Sequence, residues 1–182
     1  MLEMKTKLTI SSLFFSSFFM PLANAEDGQI EFKGKIISEA CTVDTNSQKQ
    51  TVDMGTINTS ALNAVNKTAG AARFTIKLTN CPGSISGASA RFDGQLDAKN
   101  KNYLALNNAD NKAAQGVAIG IYENDSNTLI PMGTTSKSNP LGKIKGSSAD
   151  LDFMAKYVAT LDPAGITAGS ANAVANFTIV YN

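Results

Sequence analysis

Apolar and polar residues alternate with a period of two along much of the chain. Ile30, Phe32, Gly34 and Ile36 alternate with Glu31, Lys33 and Lys35, and Phe74, Ile76 and Leu78 alternate with Thr75, Lys77 and Thr79. Val117, Ile119 and Ile121 fall on one face, as do Leu151, Phe153, Ala155, Tyr157 and Ala159. Ala173, Ala175, Phe177, Ile179 and Tyr181 form a last such row, ending one residue before the final Asn182. Shorter candidates are Thr51 to Ile57, Ala88 to Phe92 and Tyr103 to Leu106. In an extended chain successive side chains point to opposite faces, so this period predicts half-buried strands. No long helical period competes with it. Between the runs, Asn80-Cys81-Pro82-Gly83, 97–102, 107–111 and 133–146 are rich in turn-forming residues, and 61–72 is expected to be a helical turn or a loop. Many short strands separated by turns predict an all-β sandwich or barrel, in one domain without internal repeats.

The first 25 residues have a different pattern. Lys5 and Lys7 are followed by an uncharged run from Leu8 to Leu22, about 15 residues, and then by Ala23-Asn24-Ala25. A short basic lead, an apolar stretch and a small-x-small site form a secretory signal peptide, cut after Ala25. The run is short for a membrane span of ~20 residues. Cleavage removes Glu3, Lys5 and Lys7, leaving 14 acidic and 14 basic residues. Export, on this pattern, is through a bacterial periplasm.

Composition narrows the chemistry. The full chain has a net charge of +1, which gives no electrostatic footprint for nucleic acid. It contains no His, which excludes Ser-His-Asp and Cys-His sites and every His-ligated metal. Two cysteines, Cys41 and Cys81, cannot make a four-thiolate site. In an oxidising compartment such an isolated pair is expected to form a disulfide. Asp150 and Asp152 read as a surface pair on one strand face. Gly142 to Ser148 lacks the residue order of a phosphate loop. Asn58, Asn66, Asn124 and Asn176 open N-x-[ST] triplets at close to chance frequency. No enzyme activity, cofactor or metal is expected.

The strands at the two extremities leave alternatives open. Each could close the sheet of its own domain, giving a complete secreted β-sandwich that binds a ligand. Alternatively, one could be offered to a neighbouring molecule, linking chains through backbone hydrogen bonds while alternate side chains fill pockets.

Several segments resemble the pilin subunits of chaperone–usher fimbriae, closest to the type 1 major subunit. Gly28-Gln29-Ile30-Glu31-Phe32-Lys33-Gly34-Lys35-Ile36, followed by Glu39-Ala40-Cys41-Thr42-Val43-Asp44, resembles the family's donor strand running into its first cysteine. Thr51-Val52-Asp53-Met54-Gly55 resembles the next strand, and Phe74 to Pro82 the strand ending in the second cysteine. Leu151 to Tyr157 resembles the penultimate strand, and Gly169 to Asn182 the closing strand with its penultimate Tyr181. The resemblance runs in order over nearly the whole chain after the signal peptide.

The resemblance implies an incomplete immunoglobulin-like β-sandwich, lacking its last strand and completed by donor-strand exchange. It implies residues 1–25 as signal peptide, 26–36 as donor-strand extension and 37–182 as pilin domain. Ile30, Phe32 and Ile36 would be knobs entering a neighbour's groove, with Gly34 leaving space between them. Phe153, Tyr157, Phe177, Ile179 and Tyr181 would face the groove or a chaperone. Cys41 and Cys81 would staple an early strand to a middle one. The implied partners are a periplasmic fimbrial chaperone, an outer-membrane usher and neighbouring pilin subunits, with a surface fimbrium as destination and adhesion as its purpose. A host receptor is a further partner that the loops leave room for. Only Glu26 and Asp27 precede Gly28, a short lead that resembles those of minor, adaptor subunits.

Overall fold

The longest run of β-structure starts inside the segment where the sequence predicts a helical turn or a loop. In the computed structural model, which describes residues 27–109, 111–140 and 148–182, strand β2 spans Thr68–Thr79. Residues 61–67 fit that expectation, as a loop following a 3₁₀ turn at Thr59–Ala61 that is capped by the Asn58 side chain, whereas 68–72 already belong to the strand. The strand begins early because a bulge between Ala69 and Ala72, with Gly70 at φ +63°, lets it bend and keep its partner. The signal-peptide residues lie outside those described. The chain divides into a unit ending at Ile36 and a second unit, Ile37–Asn182.

In the second unit, β2 has the alternation the sequence predicts. Ile76 and Leu78 are fully buried, with Lys77 exposed between them. Its neighbours are β1 (Thr42–Val43) on one side and β8 (Ala149–Ala159) on the other, both antiparallel. Strand β5 (Val117–Glu123) follows β8, and β4 (Leu104–Ala105) and β6 (Leu129–Ile130) pair with β5. The sheet order is thus β1-β2-β8-β5-β4. A second sheet contains β7 (Asn139–Pro140), β3 (Gly87–Gly94) and β9 (Ala175–Tyr181), in the order β7-β3-β9.

The core forms where the apolar faces of the two sheets meet. Phe74 of β2, Phe153 of β8 and Phe92 of β3 pack as a trio, with ring centroids 5.1 to 6.0 Å apart. Edge-to-face packing suits the positive edge and negative face of aromatic rings. Strand β5 is covered on both faces. Its Ile119 and Ile121 join this core, while Ala118 packs with Tyr103 and Val158 on the far side. There the ammonium of Lys156 lies 4.7 Å from the Tyr122 ring centroid, and burial pushes the Tyr122 hydroxyl up to about 12.

Cys41 and Cys81 form a disulfide across 40 residues, joining the residue before β1 to the turn after β2. Just beyond β1, the short helix α1 (Thr45–Gln48) is capped by the Asp44 carboxylate, which accepts from the Asn46 N–H at 3.0 Å.

Two of the predicted strands are absent. Residues 28–36 are in no strand, and Ile30, Phe32 and Ile36 are 77, 90 and 100 % exposed. Residues 51–57 run without any strand assignment. There Val52 and Met54 are half-buried between the exposed Thr51 and Asp53, so the side chains alternate as expected. Gly55, at φ +64°, turns the backbone there, and among the described residues no strand pairs with the segment. The Asp53 carboxylate accepts from the Gly55 N–H at 2.9 Å and fixes that turn.

Candidate functional site

Strand β9 is half of a sheet edge. On one side it pairs with β3 over its full length, from Ala175 opposite Gly94 to Tyr181 opposite Ala88. Among the described residues no strand pairs with its other side. The inward residues of its neighbours are sealed, with Phe92 3 % and Phe153 1 % exposed. Those of β9 itself, Ala175, Phe177, Ile179 and Tyr181, are only partly buried. An apolar strand face that reaches the core yet stays half-covered lacks a neighbour on that side.

The missing cover leaves a groove of about 1240 Å³. One wall is residues 47–55, the end of α1 and the segment that follows it, with Val52 and Met54 half-buried, and the other is 171–177, ending at Phe177. The floor is Phe74, Ile76, Phe92, Ile119 and Ile121, side chains drawn from both sheets. Of the floor only Phe74 is incompletely buried, so the half-covered apolar surface of the groove is Phe74, Val52, Met54 and the inner face of β9. Apolar surface of this kind is stabilised by whatever removes it from water, at roughly 25 cal/mol per Å².

The residues singled out in the sequence are placed as follows. Tyr157 and Phe177 line the groove. Phe153 lies behind it, fully buried between Phe74 and Phe92, and holds up the floor. Ile179 and Tyr181 continue the Phe177 face along β9, beyond the groove lining. The Tyr181 hydroxyl donates to the Cys41 carbonyl at 3.3 Å, which ties the end of the chain to the disulfide. Burial raises the ionisation of the Tyr157 and Tyr181 hydroxyls above the ordinary tyrosine value, and the Asp53 carboxylate adds to it at Tyr157. Ile30, Phe32, Gly34 and Ile36 belong to the first unit and are exposed.

Sequence reasoning did not find the floor. Phe74, Ile76, Ile119 and Ile121 read as ordinary core positions, and all but Phe74 are indeed buried; only the arrangement of the sheets shows that they lie under the groove. The one available signal was the Val52 and Met54 alternation in a stretch whose middle is a glycine.

The family model for fimbrial protein matches residues 30–182, from the exposed apolar extension to the last residue. The chain belongs to the fimbrial protein family. It is a structural subunit of a fimbria, a pilin. This fimbrial subunit is 37 % identical to the type-1 fimbrial protein A chain of Salmonella typhi, over 98 % of this chain and all of the relative. Among solved structures, it is 33 % identical to the antigen and type I fimbria protein of Burkholderia pseudomallei, covering 79 % of this chain and 90 % of the other, with a TM-score of 0.58. The P pilus rod subunit PapA is 22 % identical and shares the fold at a TM-score of 0.63, over 79 % of this chain and all of PapA. The incomplete immunoglobulin-like sandwich expected from the resemblance is therefore the fold of this fimbrial subunit.

Proposed function

We propose that this pilin polymerises by strand exchange, residues 28–36 of one copy filling the groove of the next. The half-covered inner face of β9, beside a wall with no ladder partner, carries the reading. A strand laid there would pair with the free edge of β9 and place apolar side chains on an apolar floor. Ile30, Phe32 and Ile36 have the period of two that such a strand needs, and Gly34 leaves its backbone free to approach closely. Burying three large side chains contributes about 1.5–3 kcal/mol each before ordering costs. Residues 26–36 thus act as the donor extension and 37–182 as the pilin domain that receives it.

The remaining steps are those that the resemblance to chaperone–usher pilins implies. Residues 1–25 direct export and are removed. An open apolar groove makes a free subunit prone to association, so a periplasmic chaperone covers it until exchange, and an outer-membrane usher is the site of that exchange. The product is a fimbrium on the cell surface. Phe32→Asp or Ile30→Asp places a charge on a knob. Each should abolish fibre assembly while exported subunit still accumulates. Normal fibres from either variant would contradict the role given to the extension.

A further inference from the structure

The wall formed by residues 50–57 poses a mechanical question. It faces an apolar floor and, among the described residues, has no strand partner. A segment of that kind gains by collapsing onto the floor, which would close the groove. Two side-chain hydrogen bonds tie it to the β1-β2-β8-β5-β4 sheet. Gln50 Nε2 donates to the Thr75 carbonyl at 3.3 Å, and the Tyr157 hydroxyl donates to the Gly55 carbonyl at 3.3 Å.

Tyr157 stands at a waist. The groove of about 1240 Å³ lies on one side of it, and a smaller cavity of about 390 Å³, lined by Ile57, Leu62, Val117 and Ile166, on the other. Gly55 and Tyr157 line both. The ring has little freedom. It lies over Gly70, where a Cβ would come within 2.8 Å of Tyr157 Cδ2, and a Cβ at Gly70 would also lie 3.1 Å from Ile57 Cγ2. The glycine therefore leaves the space that seats the ring beside the wall. The Gly55 turn, held by Asp53, meets the hydroxyl from the other side.

We propose that Tyr157 and Gln50 are positioning residues for strand exchange, pinning the unpaired wall at Gly55 and at Gln50 itself, so that the groove stays open to an incoming strand. The inference rests on the strand-exchange reading. It assigns the Tyr157 side chain a holding role in addition to its place in the groove lining. The ring supplies bulk and the hydroxyl fixes the wall.

The test uses the exported chain from residue 26, a labelled peptide of residues 26–37, and the variants Tyr157→Phe and Gln50→Ala. The peptide should bind Tyr157→Phe about 3- to 10-fold more weakly than wild type, the loss expected for one net hydrogen bond. Amide exchange in 51–57 should speed up while β2 and β8 exchange as in wild type. A plain loss of stability would instead raise exchange across β2 and β8 together, and that result would overturn the proposal. So would wild-type peptide affinity with wild-type exchange in 51–57. Gln50 is exposed, so Gln50→Ala retains the fold and carries the test should Tyr157→Phe not fold; the same pattern is expected and the same results would refute it. A wild-type chain that does not bind the peptide would sink the strand-exchange reading itself, and this inference with it.

Discussion

At the scale of residues, Phe153 shows how the core and the groove depend on each other. It is 1 % exposed and contacts both Phe74 and Phe92, which form part of the groove floor. Phe153→Ala should cost about 3–5 kcal/mol, the range for a large aromatic removed from a packed core. Chemical denaturation of the free subunit measures it. The variant should also bind a donor strand less well, because the floor it supports would sag. The tyrosines give a second handle. Burial holds the Tyr122 hydroxyl at about 12 and raises Tyr157 and Tyr181 as well. A hydroxyl whose folded value is raised contributes stability below the unfolded value of ~10. That contribution is lost as pH rises through the folded value, so the subunit should lose stability between about pH 10 and 12. Absorbance titration of tyrosinate should show these three residues ionising late, and together with unfolding. Ionisation of all three at the ordinary value in the folded state would contradict the burial described.

At the scale of elements, the disulfide and the edge strand have distinct tasks. Cys41 and Cys81 close 40 residues of chain that include the wall 50–57. On the chain-entropy model such a loop contributes about 4 kcal/mol. Cys41→Ser should therefore lower the thermal midpoint and the amount of subunit recovered from the periplasm; unchanged recovery would mean that the staple is dispensable for folding. The amides on the free edge of β9 should exchange quickly in the isolated subunit and slow down when a donor peptide is added. The strands buried in the sandwich were legible in the sequence, because alternation at Phe74 to Leu78, Leu151 to Ala159 and Ala175 to Tyr181 reports one buried face directly. Alternation at 28–36 and 51–57 is just as regular, yet neither forms a strand. Side-chain pattern specifies which face would be buried, whereas a ladder also needs a partner backbone. The start of β2 was missed for the opposite reason: the Gly70 bulge breaks the period while the hydrogen bonds to β8 continue. The groove floor was illegible because its residues look like core, and all but Phe74 are buried; only the arrangement of the sheets shows that they lie under the groove.

At the scale of the whole molecule, the subunit is a sandwich that exposes part of its own core and carries an exposed apolar extension of the matching period. On the strand-exchange reading, the groove accepts that extension from another copy. The most direct test is a thermal melt of the subunit lacking residues 26–36, with and without a peptide of residues 26–37. A ligand that binds only the folded state stabilises it in proportion to the logarithm of its concentration over Kd. The account predicts a low midpoint alone and a large upward shift with the peptide, absent with a peptide carrying Phe32→Asp. A high, sharp melt that the peptide leaves unchanged would mean that the sandwich is already complete, and would contradict the account.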